Sequence, residues 1–274
     1  MATYNERQIS QIVERVVSRL AKDGGLGGSG QGPILQTSNY SRADGLFTDP
    51  DQAVQASRDA FDQVQRTPLE IRVKAIAAMR EVGRKLAPEL SRMAVEETGL
   101  GRVEDKINKN LLVANKTPGF EALRPRSFTG DRGLTLDERA PYGVICSITP
   151  CTNATETILN NAIGMIAGGN TVVFNVHPSA KNVNNYFVRE LNRAMTAVGY
   201  PANTLISIAE PTIKSAGEMM NHPGVRMVVV TGGPAVVKAA MATGKKVIAA
   251  GPGNPPAMVD ETADIAQAAK NIAA

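Results

Sequence analysis

The sequence is poor in aromatic residues, cysteine and histidine. Its 274 residues include no Trp, an aromatic fraction of 4%, two Cys and two His. A Cys- and His-based metal centre needs several such residues at close spacing, so no metal site is expected. Cys146 and Cys151 lie five positions apart, on a predicted strand and the loop after it. This placement does not indicate a disulfide pair.

Long apolar runs and a secretory signal are also missing. The longest apolar windows, such as Ile163 to Ile166 and Met227 to Val230, are far shorter than the ~18 residues that span a membrane. The opening residues MATYNERQIS lack the basic and then apolar pattern of a signal peptide. We therefore expect a reducing interior compartment and no membrane partner.

The charge is moderately positive, with a formal net value of +4. Lys and Arg are scattered along the chain and are not interleaved with aromatic side chains, as single-stranded nucleic acid binding would require. With 43% hydrophobic and 20% charged residues, the composition is that of a globular protein. We expect no nucleic acid partner, and a phosphate-bearing small molecule suits the charge better.

The N-terminal segment 5–22 is predicted to be an amphipathic helix. Residues 23–33 contain six Gly, a composition typical of a flexible coil, and we place a linker over 23–48. Either the helix folds back on the main body or it docks on a partner, and the glycine-rich linker favours docking. Its apolar stripe consists of Ile9, Ile12, Val13, Val16, Val17 and Leu20.

Three helices are predicted between residues 49 and 116, from N-terminal Asp and Pro residues and a C-terminal Gly. The first is capped by Asp49, the second begins at Pro68, breaks near Pro88 and ends at Gly99, and the third runs from about Val103 to Lys116. The charged start of the third helix, residues 104–106, is expected to be solvated.

From residue 141 to 260, short apolar runs alternate with helical patterns. Such alternation predicts an α/β fold with a doubly wound, mainly parallel sheet. The loops 149–153, 175–178, 209–212, 231–233 and 250–255 should converge on a pocket, because ligands bind outside the carboxyl ends of parallel strands. The predicted strands are 143–149, 170–175, 204–209, 226–231, 245–250 and 257–260, and the helices are 154–169, 180–198, 213–221 and 234–242.

Three of these loops allow two interpretations each. The turn TGGP at 231–234 is either a tight turn or a seat for a pyrophosphate. Asn153 either donates its amide to a developing oxyanion or, like Thr152, caps the following helix. His177 is either a hydrogen-bonding loop residue or a base. Cys151 precedes a helix but has no evident base beside it, which favours an ordinary thiol over a nucleophile.

Five long motifs, in this order, resemble the CoA-acylating aldehyde dehydrogenases of bacterial microcompartments, the propionaldehyde and acetaldehyde dehydrogenase group. They are ETGLGRVEDKINKN, TPCTNATETILNNAI, GNTVVFNVHPSAK, VVVTGGPAVVKAA and KKVIAAGPGNPPAMVDETAD. The resemblance runs from about Asp49 to the last residue. It implies oxidation of a short-chain aldehyde by NAD through a cysteine thioester, with acyl transfer to coenzyme A.

The resemblance also implies where the site lies. Asn153 matches the oxyanion-hole asparagine. Ala250 and Gly251 stand where hydrolytic aldehyde dehydrogenases carry a glutamate base, and an apolar residue there spares the thioester for a thiol. The positions that match the pocket used for NAD and then for CoA are Thr149, Pro150, Thr152, His177, Pro178, Thr231, Gly232 and Gly233.

Location and partners follow from the same resemblance. Residues 5–22 are similar to an encapsulation peptide, which implies binding to shell or core proteins and a place in the lumen of a microcompartment in the cytoplasm. The full-length enzyme is expected to form a homo-oligomer.

Neither cysteine matches the family's nucleophile, which is expected beyond residue 274. We therefore interpret 49–274 as an incomplete N-terminal, NAD- and CoA-binding domain that is inactive alone. The alternatives are a noncatalytic nucleotide-binding or assembly protein of a microcompartment, and a small enzyme that uses Cys151.

Overall fold

A computed structural model describes residues 42–251 and 256–273 of the chain. The predicted helix 5–22 and most of the predicted linker 23–48 lie outside the described residues. Among the described residues, no helix combines the length and the apolar character needed to cross a membrane.

The described chain alternates helices with strands from residue 144 onward, after an N-terminal group of helices. The helices are α1 (Pro50–Val64), α2 (Leu69–Thr98), α3 (Val103–Lys116), α4 (Ala154–Ala167), α5 (Lys181–Ala197), α6 (Ile213–Asn221), α7 (Pro234–Met241) and α8 (Ile265–Ala273). The strands are β1 (Leu46–Phe47), β2 (Arg126–Gly130), β3 (Gly133–Asp137), β4 (Val144–Ile148), β5 (Thr171–Asn175), β6 (Leu205–Ile208), β7 (Met227–Thr231) and β8 (Lys246–Ala250).

Six of the strands form one parallel sheet in the order β1-β6-β5-β4-β7-β8. Helices α2 to α5 cover one face, around Leu159 and Phe174, and helices α1, α6 and α7 cover the other, around Val173 and Met219. Because both faces are covered, the central strands β4, β5 and β6 are buried along their whole length. The predicted doubly wound α/β fold is confirmed.

Local signals in the sequence set the ends of α1 and α2. The Asp49 side chain accepts a hydrogen bond from the Gln52 amide at the start of α1, and Gly99 ends α2 in the left-handed conformation. The one polar residue in the apolar stripe of α1, Ser57, is fully buried and donates its hydroxyl hydrogen bond to Thr171 Oγ1 at 2.9 Å. This bond satisfies a hydroxyl that would otherwise be buried without a partner.

The predicted break near Pro88 is wrong, because α2 is continuous from Leu69 to Thr98. A proline inside a helix removes one backbone hydrogen bond and costs about 3 kcal/mol. Buried residues lie on both sides of it, including Met79 and Leu90. Packing of both halves of α2 against α3, α4 and α5 holds the helix together through the proline.

The strand predicted at 257–260 is also absent. The structure shows no helix or strand over these residues, and Met258 is 97% exposed. A strand needs a neighbour that satisfies its backbone groups, and none of the described strands pairs with this segment. The apolar run was therefore insufficient evidence for a strand.

Two elements were missed by the sequence analysis. The strand β1 begins inside the predicted linker 23–48 and pairs with β6, with Leu46 and Phe47 both buried, so the linker boundary at 48 was placed too late. Strands β2 and β3 form an antiparallel hairpin whose two-residue loop joins Gly130 to Gly133. Its side chains are exposed, so no burial pattern marked it.

Candidate functional site

The carboxyl ends of the parallel strands lie along one edge of the sheet, and at one place on this edge the order in which the chain adds strands reverses. Strands β4, β5 and β6 follow one another toward one edge, whereas β7 and β8 lie on the other side of β4. A crevice at such a switch point, here between β4 and β7, is where open α/β sheets bind ligands. The loops after these two strands carry most of the predicted site residues.

The turn after β7 is built for close approach to its backbone. Thr231 ends β7, the Gly232 amide donates a hydrogen bond to the Ala250 carbonyl at 3.3 Å, and Gly233 precedes α7. No side chain caps the N-terminus of α7, and a Cβ placed on Gly233 would meet no atom within 4 Å. Pro234, the first residue of α7, has no N–H, but no side chain caps the amides that follow it in the first turn, and uncapped amides at a helix start can receive an anion.

The loop after β4 brings a buried hydroxyl to the other side of the crevice. Thr149 is 3% exposed, and its backbone amide donates to the Asn175 carbonyl of the neighbouring β5 at 3.4 Å. Among the described residues, its hydroxyl oxygen has no hydrogen-bond partner. A buried hydroxyl without a partner is uncommon and indicates a position where a ligand or a water completes the bonding. Pro150, which follows, is half-buried.

Asn153 occupies the N-cap position of α4 but does not cap the helix with its side chain. Instead, its Oδ1 accepts a hydrogen bond from Lys109 Nζ at 3.3 Å. The neighbouring Thr152 is exposed, and its backbone carbonyl accepts from Lys106 Nζ at 2.9 Å. The capping interpretation of Asn153 is therefore wrong in this structure.

The two lysines of α3 were missed as contributors to this loop. Lys106 was expected to be solvated but is 3% exposed, while Glu104 and Asp105 are exposed as predicted. A charged residue in the first turn of a helix usually indicates a solvated face, so this burial was not predictable from the sequence. The separation of three residues between Lys106 and Lys109 does place both on one face of α3.

His177 stabilises the loop after β5 through a hydrogen bond. Its Nδ1 accepts a hydrogen bond from the Ser179 amide at 3.2 Å and so caps the short 3₁₀ helix Pro178–Ala180. Partial burial lowers the pKa of His177, which favours a neutral ring at pH 7. The hydrogen-bonding interpretation is confirmed. Pro178 is exposed beside it.

The remaining predicted positions lie at the end of β8. Ala250 pairs with Thr231 across β7 and β8, and Gly251 follows it directly. Both residues are exposed. Neither has an ionisable side chain, so no general base stands at these two positions.

The two cysteines differ in accessibility. Cys146 lies in β4 and is fully buried, and burial raises the pKa of its thiol to about 12. Cys151 is half-buried and packs against the core on the α4 side of the sheet. Because a thiolate is the reactive form, Cys146 is not suited to be a nucleophile near neutral pH. In the described part of the chain, no group of three or more His, Cys, Asp or Glu residues could hold a metal ion.

We expect only one thiol of the folded chain to react with Ellman's reagent at pH 8, and two in guanidinium chloride. Cys151 is the accessible thiol, and the high pKa and burial of Cys146 protect it until the chain unfolds. Absorbance at 412 nm counts the released thiolate. The Cys151→Ser variant should show no rapid reaction in the folded state, and a rapid reaction in that variant would contradict this assignment of the thiols.

Comparison with known proteins agrees with this fold. The acetaldehyde dehydrogenase (acetylating) EutE of Escherichia coli is 46% identical over 269 residues, which cover 98% of this chain and 55% of the relative. A propionaldehyde dehydrogenase from the fucose utilisation microcompartment of Clostridium phytofermentans is 50% identical, with a TM-score of 0.76, over 83% of this chain and 52% of the other. The Rhodopseudomonas palustris propionaldehyde dehydrogenase, solved with bound CoA and an acylated cysteine, is 49% identical, with a TM-score of 0.77, over 84% and 53%.

The chain thus spans about half the length of the relatives it matches. The resemblance to the microcompartment group of CoA-acylating enzymes, which the motifs predicted, is confirmed. Residues 33–274 match the aldehyde dehydrogenase family, and the chain belongs to that family.

Proposed function

We propose that this chain is the cofactor-binding part of a CoA-acylating aldehyde dehydrogenase, which converts a short-chain aldehyde to its acyl-CoA with reduction of NAD. The observation that carries the proposal is the pair of loops at the switch point, 149–153 and 231–233, within a chain similar to acylating enzymes. The relatives act on acetaldehyde or propionaldehyde according to their names, so the proposed substrate is a short-chain aldehyde.

The residues of the crevice fit a dinucleotide or CoA phosphate. The unpartnered Thr149 hydroxyl offers one hydrogen bond, and the uncapped start of α7 behind Gly232 and Gly233 offers backbone amides. Thr231 and His177 belong to loops beside the crevice. When bound, NAD supplies the hydride acceptor for the aldehyde carbon, and CoA supplies the thiol that takes the acyl group.

Asn153 is proposed to stabilise charge on the aldehyde oxygen. Its Oδ1 does not cap α4 and accepts from Lys109 Nζ instead, which leaves Nδ2 as the end of the carboxamide that can donate. An amide N–H that points at a developing oxyanion typically contributes two to three orders of magnitude to the rate, or roughly 2.7–4 kcal/mol. No general base stands at Ala250 or Gly251, which favours attack by a thiol over attack by water on the thioester.

The nucleophilic cysteine is proposed to come from residues outside these 274. Cys146 is fully buried, and Cys151 is half-buried in contact with the core. An activated nucleophile needs a base within hydrogen-bond distance, and the described residues show no hydrogen bond from either thiol to a base. The chain alone is therefore proposed to bind NAD without turnover.

An NADH-formation assay beside an NAD titration tests this proposal. The purified chain receives propionaldehyde, NAD and CoA, and absorbance at 340 nm reports turnover, while calorimetry on the same sample reports NAD binding. We expect saturable binding and no turnover. Turnover that requires CoA would place the nucleophile within this chain and promote Cys151, with Cys151→Ser as the deciding variant. A folded chain that does not bind NAD would overturn the cofactor-binding function.

The partners proposed beyond the small molecules are proteins of a bacterial microcompartment. Residues 5–22 are proposed to dock on shell or core proteins, which would place the enzyme in the lumen of the compartment. The relative from the fucose utilisation microcompartment supports this location. Self-association of the full-length enzyme is supported by the exposed apolar side chains Phe128, Leu134 and Leu136 of the β2–β3 hairpin.

A further inference from the structure

We propose that Lys109, supported by Lys106, is a positioning residue that fixes the orientation of the Asn153 carboxamide. The inference rests on the proposed function, because that function gives Asn153 the task of stabilising an oxyanion. It adds a role for two residues of α3 that lie outside the loops of the crevice.

The contacts come from one face of one helix. Lys106 and Lys109 are three positions apart on α3, so their side chains leave the helix on the same side. Lys106 Nζ donates to the Thr152 carbonyl at 2.9 Å, and Lys109 Nζ donates to Asn153 Oδ1 at 3.3 Å. Two adjacent residues of the loop, Thr152 and Asn153, are thus each bound by one lysine from the same face of α3.

Lysine selects one end of the carboxamide. An asparagine side chain has an acceptor oxygen and a donor NH₂ group, and rotation by half a turn exchanges them. A lysine ammonium only donates, so Lys109 can bind the oxygen end alone. The NH₂ group of Asn153 is then left to donate, which is what an oxyanion requires.

No other described group performs this task. The usual partner of an asparagine at the start of a helix is a backbone amide of the first turn, and Asn153 makes no such bond. In the part of the chain that the structure describes, the only hydrogen bond to its side chain is the one from Lys109. Loss of the ammonium would therefore leave the carboxamide free to rotate.

Lys106 holds the backbone on which Asn153 stands. Its ammonium is buried and forms no ion pair with a described carboxylate, although burying a charge without a partner is costly. The α3 N-terminal loop closes over it, since a Cβ on Gly101 would lie 3.3 Å from Lys106 Cε. Its bond to the Thr152 carbonyl offsets part of that cost and fixes the peptide that precedes Asn153.

The test measures the Asn153 side chain directly in the full chain. The protein is labelled with [¹⁵N]Asn, the Asn153 NH₂ signal is assigned by its disappearance in Asn153→Ser, and its order parameter is measured by NMR relaxation. In Lys109→Met we expect the Asn153 NH₂ signal to shift and its order parameter to fall from about 0.8 to below about 0.6. In Lys109→Arg, which keeps a donor cation, the order should return toward the native value.

Lys116→Met is the matched control, since it removes the same charge from the same helix at an exposed position without contact to the loop. It should leave the Asn153 signal unchanged. An unchanged signal in Lys109→Met, or an equal change in Lys116→Met, would overturn the positioning role. NAD affinity and the thermal midpoint are measured on the same samples. Failure of NAD binding by the wild type would count against the proposed function, whereas the NMR comparison decides the role of Lys109.

Discussion

Replacing Gly233 by aspartate is expected to weaken NAD binding by about 100-fold. Gly233 adopts φ −69° and ψ 167°, which other residues also adopt, and a Cβ there meets no atom within 4 Å. The fold should therefore tolerate the side chain. A carboxylate at the start of α7 would repel the phosphates that the uncapped amides are proposed to bind, and juxtaposed like charges cost several kcal/mol. About 2.7 kcal/mol corresponds to the expected 100-fold rise in Kd, which calorimetric titration measures.

Gly233→Asn is the control that separates charge from volume. Asparagine has nearly the same size as aspartate and is an equally good N-cap, so the side-chain oxygen of either residue can accept a hydrogen bond from the first turn of α7. We expect the asparagine variant to lose less than about tenfold in NAD affinity, and the difference between the variants to shrink as salt is added. Equal affinities for the two variants, or native affinity in both, would remove the N-terminus of α7 from the proposed cofactor site.

The fold was predictable where the sequence changes its hydrophobic period. From β4 to β8, each apolar run between turn residues became a strand. In the central strands β4, β5 and β6 the reason is burial, because both faces of the sheet are covered there and the strands must be apolar throughout. The approximate place of the site followed from the same fact, since the loops at the carboxyl ends of parallel strands lie side by side. The prediction for residues 5–22 lies outside the described residues and stays a prediction.

Other features depend on partners that are distant in the sequence. The continuity of α2 through Pro88 depends on packing against three other helices, and the burial of Lys106 depends on the Thr152 carbonyl, 46 residues away. Whether Asn153 caps α4 or binds Lys109 is decided by tertiary contact, since both uses suit the same residue type. The motif that contains Lys106 and Lys109 did contribute to the family resemblance, but a pair of lysines on a helix normally indicates a solvated face.

Gly45→Ala is expected to lower the free energy of unfolding by about 3 kcal/mol, in part through strain and in part through overlap. Gly45 has φ +81°, and the left-handed conformation costs an alanine roughly 1–2 kcal/mol. A Cβ there would also lie 2.4 Å from the Leu205 carbonyl oxygen and from Asn192 Nδ2. Because the Leu205 oxygen belongs to the backbone of β6, it cannot move without disturbing the sheet, and overpacking of this kind costs about 1–3 kcal/mol. Guanidinium chloride unfolding measures the loss.

Gly199→Ala isolates the contribution of the backbone. Gly199 has a similar φ of +86°, but a Cβ there meets nothing within 4 Å, so only the strain of about 1–2 kcal/mol is expected. The excess loss in Gly45→Ala then reports how tightly the chain before α1 is held against β6, where the Gly45 carbonyl accepts from the Ser207 amide at 2.9 Å. Equal losses of unfolding free energy in the two variants would mean that the segment around Gly45 moves to accommodate the added methyl group, as a flexible linker would. A larger loss at Gly45 would place the start of the folded domain before residue 46. The folded domain would then include the end of the segment 23–48, which the sequence analysis assigned to the linker.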